Sequence, residues 1–335
     1  MSDSDGSCSG GASPDIDLRA YIYLALMVLI GSCTAPAAKY AVRELPAGFL
    51  PLVRFGIAGL CLLPIVGGRG GNLARLFKED FWRLALAAAL CVPVNQTFFL
   101  NGARLAPTSH VALIYASCPL FVLLMSVAMG QERLVPSRLA GVIASVMGVV
   151  VIGLDSFWRG AVGGHETLRG DLLLVGAVAS WGAYLTAGKP LIARYGPMAV
   201  LTGTFLVGTV LHVPVALFTM PGWATLSDAS GAAWKGLFFL TLVVTLVGLT
   251  FQNLAMRRLD ASQVASFGNA APLLTVFWGV WLFGESISGA LLIGGALTLG
   301  GILWTSRPVR AGSRGFEGSL EVPPELDRLA PVPPR

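Results

Sequence analysis

The chain has 335 residues, of which 55% are hydrophobic and 12% are charged, and its formal net charge is +5. Soluble domains carry about a quarter charged residues, so this composition argues against a soluble enzyme or a nucleic-acid-binding domain. Basic loops at the inner face of a membrane account for the positive charge without an anionic partner.

The two ends of the chain are predicted to be solvated tails. Residues 1–19 are acidic and rich in Gly and Ser, without the basic start of a secretory signal. Residues 307–335 are rich in Pro, Gly and charge. Segments with so little apolar surface do not order themselves, so we expect disorder in both.

Long apolar runs recur between the tails, and short polar segments separate them. In lipid, only a helix satisfies every backbone group within its own segment, and the runs are too long for buried strands. We therefore predict an all-α membrane protein with ten transmembrane helices. They span residues 21–39, 49–67, 82–101, 108–129, 138–154, 171–189, 198–219, 235–255, 262–283 and 287–305.

Basic residues are distributed unevenly over the two sides of this arrangement. With ten crossings both termini share a side, and that side receives sixteen Lys and Arg residues against six on the other. An excess of Lys and Arg marks the cytoplasmic side. We expect a multi-pass protein of the cytoplasmic membrane with both termini in the cytoplasm.

The second half of the chain repeats the first. Residues 94–153 and 247–306 match without a gap at 14 of 60 positions, well above the chance level. The matches are mainly turn and packing residues, and they include Ser109 with Ser262, Pro119 with Pro272, Glu132 with Glu285, Gly141 with Gly294 and Gly148 with Gly301. We predict a first repeat at 20–155, an extracytoplasmic linker at 156–169 and a second repeat at 170–306.

Each predicted repeat contains five helices. Because five is odd, the second repeat must run antiparallel to the first, which makes an inverted repeat. Inverted repeats are the recurring basis of alternating access, with the substrate held between the halves near the membrane midplane. A duplicated bundle that does not transport is the alternative.

The chain resembles the drug/metabolite transporter superfamily, specifically its EamA-type permeases, over residues 20–306. The segments KYAVRELPAGFLPLVRFGIAGL, LAPTSHVALIYASCPLF and LDASQVASFGNAAPLLTVFWGVWLFGE carry the resemblance. The sequence departs from the family pattern at Gln131, where Gly is common, and near Ser32, where the first helix lacks the usual tryptophan. The resemblance implies two EamA repeats and export of small metabolites, often amino acids or related compounds.

Polar and aromatic residues near mid-membrane are candidate substrate contacts. They are Asn95, Gln96, Tyr115, Ser117, Trp181, Tyr184 and Asn269. Asn and Gln are uncommon in hydrocarbon unless they face the bundle interior or water, so Asn95 and Asn269 are the leading candidates. Hydrogen bonds between helices are the alternative role.

Two prolines lie inside predicted helices. Pro119 and Pro272 occupy matched positions of the fourth and ninth helices, near mid-membrane. A proline inside a helix removes a backbone hydrogen bond, and the freed carbonyl then needs a side chain, a water or a ligand. Matched breaks in inverted halves indicate a central cavity. A kink needed only for packing is the alternative.

Four charged residues lie near predicted helix ends. Lys39 and Arg54 lie toward the outer ends of the first two helices, where extension of the charge to the interface is the default. The alternative for both, and more so for Arg54 because it lies deeper, is to line an outer vestibule that attracts an anionic group such as a carboxylate. Glu132 and Glu285 precede the fifth and tenth helices in matched turns, where a carboxylate can accept backbone N–H groups. We expect structural roles for both.

Small residues spaced four apart lie on one face of the predicted fifth and tenth helices, and such faces favour close helix packing. The pairs are Gly141 with Ser145, Ala144 with Gly148, and Ala296 with Gly300. All acidic residues fall in tails, loops or helix ends, so we expect no proton relay through carboxylates at mid-membrane.

The sequence contains no metal-ligand cluster, no catalytic constellation and no GxxxxGK[ST] loop. We expect no enzymatic activity, no cofactor, no metal and no binding of ATP or nucleic acid. The expected partners are a small-molecule substrate and membrane lipid, and the sequence leaves the oligomeric state open. The alternatives to an exporter are an antiporter of phosphorylated sugars or nucleotide sugars, which would call for several deep Lys or Arg residues, and a non-transporting scaffold.

Overall fold

The computed structural model describes residues 18–67, 71–130, 136–158, 164–220, 224–248, 251 and 271–305. All regular secondary structure in these ranges is helical. Six of the described helices are long and apolar enough to cross a membrane, and a bent pair supplies a seventh crossing if it is counted as one. The prediction of an all-α membrane fold is confirmed, whereas the count of ten helices remains a prediction.

The helices of the first half are α1 (Leu18–Ser32), α2 (Thr34–Val42), α3 (Phe49–Gly67), α4 (Asn72–Glu79), α5 (Phe81–Ala89), α6 (Asn95–Leu105), α7 (Thr108–Ala116), α8 (Cys118–Ala128) and α9 (Pro136–Trp158). A π-helical segment, Leu90–Val94, joins α5 to α6. The helices of the second half are α10 (Gly164–Tyr195), α11 (Pro197–Thr219), α12 (Ala224–Ser227), α13 (Gly231–Phe238), α14 (Ala271–Phe283) and α15 (Gly289–Thr305). A second π-helical segment, Phe239–Gly248, continues α13.

The helices follow the predicted positions, with two differences in detail. The short helix α4 was not predicted; it buries Leu76 and exposes Arg75 and Lys78, as an amphipathic helix does. Helices α9 and α10 extend into the segment predicted as a linker. Glu166 lies in the first turn of α10, where its charge favours the helix dipole.

The predicted fourth helix consists of two pieces. Helix α7 ends before Ser117, and α8 continues from there at an angle of 42°. Pro119 is the second residue of α8, whereas Pro272 borders residues outside the described part of the structure, so its depth within a helix stays a prediction. A proline in the first turn of a helix costs little, because an N–H at that position has no helical partner.

The closest helix contacts join different repeats. Helix α9 packs along α15, α6 along α10, α3 along α11 and α2 along α13. Glycine permits the α9–α15 contact, because a Cβ atom at Gly294 would lie only 2.7 Å from the carbonyl oxygen of Gly148. The interior of the protein is therefore built between the two repeats.

Four residues form an ionic cluster that joins α2, α7 and the turn between α14 and α15. We call it the Glu285 cluster, and the side of the protein that carries it the Glu285 face. Lys39 Nζ donates to Glu285 Oε1 at 2.9 Å, and the backbone N–H groups of Thr108 and Ser109 donate to the same carboxylate at 2.6 and 2.9 Å. The carboxylate thus binds both an ammonium group and the N-terminus of α7.

A second ionic cluster joins the repeats near the junction of α4 and α5. Asp80 Oδ2 accepts hydrogen bonds from Tyr195 Oη and Arg194 Nη1, both at 2.8 Å. Glu79 accepts from the same arginine at 2.7 Å. The pKa of the Asp80 carboxyl group is lowered, and the hydrogen bond from Tyr195 is the largest cause. The C-terminal end of α10 is thereby fixed to the first repeat.

Candidate functional site

A cavity of about 370 Å³ lies between the repeats. Its wall comes from α1, α2, α3, α6 and α7 of the first half and from α10 and α14 of the second. The lining residues are Gly31, Thr34, Ala35, Arg54, Asn95, Gln96, Phe99, Val111, Ala112, Tyr115, Trp181, Ala271, Pro272 and Thr275. Five of the predicted site residues (Asn95, Gln96, Tyr115, Trp181 and Arg54) meet at this cavity, as does the predicted break residue Pro272.

The π-helical segment before α6 sets the position of Asn95 and Gln96. It contains Pro93, which has no N–H to donate, and Thr97 Oγ1 donates to the carbonyl of Pro93 at 2.6 Å. A π-helical turn inserts one extra residue and so rotates the next part of the helix, a feature frequent at functional sites. Here the first residues after the turn are the two amides that line the cavity.

Arg54 is also part of the cavity wall. Its Nε donates to Thr245 Oγ1 at 2.9 Å, and its Nη1 lies 3.5 Å from Gln96 Oε1. The guanidinium lies over the ring of Phe55, with 5.0 Å between its carbon and the ring centroid. Lys39 and Arg54 were both predicted as possible charges of an outer vestibule; the structure places Arg54 in the cavity wall and Lys39 in the Glu285 cluster.

The polar wall forms one directed chain of hydrogen bonds. Arg54 donates to Gln96, Gln96 Nε2 donates to Asn95 Oδ1 at 2.8 Å, and Asn95 Nδ2 donates to the carbonyl of Ala177 at 2.7 Å. In a low-dielectric interior, such chains polarise their members and strengthen each bond. Tyr115 Oη lies 3.4 Å from Asn95 Nδ2, at the edge of the chain. The cavity thus presents a polar wall that ends in a cation.

An aromatic surface borders this polar wall. Phe99 and Tyr115 pack edge to face, with 5.4 Å between ring centroids. Trp181 lines the cavity from the second repeat and packs on Tyr184 at 5.1 Å. Aromatic rings beside a few placed polar groups are typical of small-molecule sites.

The other predicted site residues lie elsewhere. Ser117 is buried, and its hydroxyl donates to the carbonyl of Ile114 at 2.6 Å. Tyr184 is buried beside Phe205, behind Trp181. Neither is part of the cavity wall. Asn269, Glu132 and the side chain of Pro119 lie outside the described part of the structure, so their predicted roles remain predictions.

Two threonines of the second repeat serve the site without having been predicted. Thr245 lies in the second π-helical segment and donates to the carbonyl of Leu240 at 2.9 Å, which leaves its oxygen lone pairs to Arg54. Thr275 lines the cavity, and its hydroxyl lies 2.9 Å from the carbonyl of Ser32. Hydroxyls in apolar runs were the only signal that the sequence offered for them.

A buried acid–histidine pair joins α7 to α10. His110 Nδ1 is 3.0 Å from Asp171 Oδ1, and the two side chains are 10% and 5% exposed. Because α10 begins about two turns earlier than predicted, Asp171 lies inside this helix rather than at its start. The expectation that acidic residues are restricted to tails, loops and helix ends is wrong for Asp171.

Comparison with known proteins shows the family. Residues 18–154 and 168–307 each match the EamA-like transporter family. A protein of Streptantibioticus cattleyicolor named "Probable terminal-alkyne amino-acid exporter" is 29% identical over 292 residues, which cover 86% of this chain and 94% of that one. The "Aromatic amino acid exporter YddG" of Ancylobacter novellus is 28% identical over 207 residues, or 61% and 69% of the two chains.

A solved crystal structure has the same fold. It superposes with a TM-score of 0.58 and 23% identity, and the match covers 85% of this chain and 95% of the other. The family match includes α1 to α8, α11 to α15 and most of α9 and α10, and so contains every residue of the cavity wall. The chain therefore belongs to the EamA-like transporter family and is a multi-pass membrane transporter.

Proposed function

We propose that the protein exports a small metabolite, an amino acid or a related compound, by alternating access between its two repeats. The observation that carries this proposal is the cavity at the boundary of the repeats, with a polar chain on one wall and aromatic rings on another. The names of the two relatives, both amino-acid exporters, support the substrate class.

Alternating access fits the construction of the wall. Both repeats contribute to it, and two of its helical units are interrupted, between α1 and α2 and before α6. Interrupted helices at the interface of inverted repeats are recurring features of transporter binding sites. In the proposal, the protein lies in the cytoplasmic membrane with its termini in the cytoplasm, has no enzymatic activity, and opens the cavity to each side in turn.

Replacing Asn95 and Gln96 by alanine is expected to lower transport at least tenfold without loss of folded protein. The change removes the middle of the polar chain and leaves Arg54 with its hydrogen bond to Thr245 and its contact with the ring of Phe55. The substrate is first found by growing an overexpressing strain on a panel of toxic amino acids and analogues. Flux of the hit is then measured in proteoliposomes.

Asn101→Ala is the matched control for this experiment. Asn101 lies on the same helix, and its amide donates to the carbonyl of Thr97 at 2.7 Å, away from the cavity wall. Transport is expected to survive this change. If the double variant transports as well as wild type, the cavity is not the substrate site; if no panel member is carried by the wild-type protein, the proposed substrate class is wrong.

A further inference from the structure

Among the residues that the structure describes, Arg54 is the one charged group in the cavity wall. Its neighbours are all neutral: the hydroxyl of Thr245, the amide of Gln96 and the ring of Phe55. No carboxylate of the described chain forms an ion pair with it. Arg54 is partly buried, and a guanidinium withdrawn from water without a counter-charge is unfavourable, so its position needs an explanation other than stability.

The free donors of Arg54 fit an oxyanion. Nε is taken by Thr245, whereas Nη1 has only a long contact of 3.5 Å with Gln96. The planar guanidinium matches a carboxylate with two parallel N–H donors. Because the aromatic surface of Phe99 and Tyr115 lies beside these donors in the same cavity, a ligand can place an acidic group and an apolar body there together.

We propose that Arg54 binds the carboxylate of the transported substrate, so that the protein carries small organic acids with an apolar or aromatic body. This inference rests on the proposed function and narrows its substrate class. The described wall holds no acidic group for an ammonium ion, so a free amine is not required, and an N-acylated amino acid is accepted as well as the amino acid.

The single cation also separates carboxylates from phosphate esters. A phosphate monoester carries nearly two negative charges at neutral pH, and one guanidinium balances only one of them. A monoanion is therefore the better match for this wall. The antiporters of phosphorylated or nucleotide-linked sugars considered from the sequence would require more cations than the described cavity offers.

The first test measures thermal stability without any ligand. Arg54→Met keeps an unbranched, flexible apolar side chain and removes the guanidinium with its charge. If Arg54 is held for its ligand, the variant is expected to melt at the same temperature as wild-type protein or higher. Arg43→Met is the matched control, since Arg43 lies over the rings of Tyr40 and Phe283 on the Glu285 face, away from the cavity. A melting temperature lowered well below that of the control would make Arg54 structural and overturn the proposal.

The second test measures binding by the shift in melting temperature of purified protein. The probes are L-phenylalanine, N-acetyl-L-phenylalanine, L-phenylalaninamide and phenyl phosphate. The two carboxylates are expected to stabilise wild-type protein at concentrations at least tenfold below those of the amide, and to lose this effect in Arg54→Met. Equal effects of acid and amide, a shift that survives in the variant, preferential binding of phenyl phosphate, or no shift with either acid would each overturn the proposal.

The two tests separate this inference from the proposed function. Arg54-dependent binding of a carboxylate without flux in proteoliposomes would leave the anion site standing and remove the transport proposal. Flux of a neutral compound that does not depend on Arg54 would support the transport proposal and remove the anion site.

Discussion

Gly148→Ala is expected to destabilise the folded protein severely, by about 3 kcal/mol or more. A Cβ atom at this position would overlap the carbonyl oxygen of Gly294 and lie 2.7 Å from the backbone nitrogen of Thr298. Backbone atoms cannot turn aside as the end of a side chain can, so α9 and α15 must separate along their contact. The measurement is the fraction of monodisperse protein after heating in detergent, and we expect a fall in melting temperature of more than about 5 °C.

Gly300→Ala is the matched control on α15. Gly300 is also helical, but a Cβ atom there would meet no atom within 4 Å. Alanine is favoured over glycine in a helix by about 1 kcal/mol, so this variant should be as stable as wild-type protein or more stable. Equal melting temperatures for both variants would show that the α9–α15 contact does not depend on backbone approach.

The second large effect is expected from Glu285→Ala. Removing this carboxylate leaves Lys39 without its ionic partner and two N–H groups of α7 without an acceptor. The side chains of Lys39 and Glu285 are 17% and 11% exposed. Removal of one member of a buried pair costs about 3–5 kcal/mol, so we expect a loss near the lower end of that range. Under the proposed alternating access, the variant should also admit thiol reagents more readily from the Glu285 face, measured on an introduced cysteine at Thr34.

Glu44→Ala is the matched control on the same face. Glu44 also accepts a backbone N–H and a hydroxyl from Ser230, at the start of α13, but it is exposed to solvent. Its removal should change the melting temperature by much less.

The double variant Lys39→Met with Glu285→Ala should lose less stability than the sum of the losses of the two single variants, because no ammonium is left without its carboxylate. Additive effects would mean that the pair is not coupled.

The pH dependence of the Glu285 cluster is set by its contacts. Burial raises the pKa of Glu285, but the hydrogen bonds from Lys39, Ser109 and Thr108 together outweigh burial and hold the pKa below its ordinary value of 4.5. A lowered pKa in the folded state gives stability that is present above the unfolded value and is lost as pH falls through the folded value. The difference in melting temperature between wild type and Glu285→Ala should therefore stay constant from about pH 6 to 8 and shrink only below about pH 4.5. A loss near neutral pH would contradict the assignment.

Helix positions were predictable because hydropathy alone decides where a chain can cross lipid. The second predicted helix, 49–67, has the same limits as α3. The π-helical interruptions inside helices were not predicted from the sequence. The π-helical segment at Leu90–Val94 depends on how Pro93 and its neighbours redistribute backbone hydrogen bonds, which a hydropathy pattern does not record.

The depth of Arg54 could not be obtained by counting residues from a helix end. Its partner Thr245 lies 191 residues away in the chain, and only the packing of α3 against the second π-helical segment brings the two together. The sequence therefore predicted an anion-attracting arginine, but at a vestibule rather than in the cavity wall.

The partner of Glu285 also could not be predicted from its position in the sequence. The turn was predicted to bind backbone N–H groups of the next helix in the chain, whereas the structure turns the carboxylate to α7. Gly284 has a φ of 64°, which reverses the chain, and a Cβ at Gly279 would lie 2.7 Å from Glu285 Oε2. The glycines that admit the carboxylate were visible in the sequence, but their partner was not.

The prediction that small residues form the packing faces of the fifth and tenth helices was partly right. Gly148 lies in the contact, whereas Ala296 and Gly300 are exposed on the outside of α15. The repeat offered a better guide: Gly294, the match of Gly141, is the residue that meets Gly148.

The pairing of α2, α3, α6 and α9 with helices of the other repeat has a consequence for biogenesis. The first half of the chain leaves the ribosome before these partners exist, and at 5–20 residues per second the second half is complete only after roughly 10–30 seconds. During that interval Arg54 lacks its partner Thr245, and the start of α7 lacks the carboxylate of Glu285. We therefore expect the first half to reach its final packing only after the second half has been inserted.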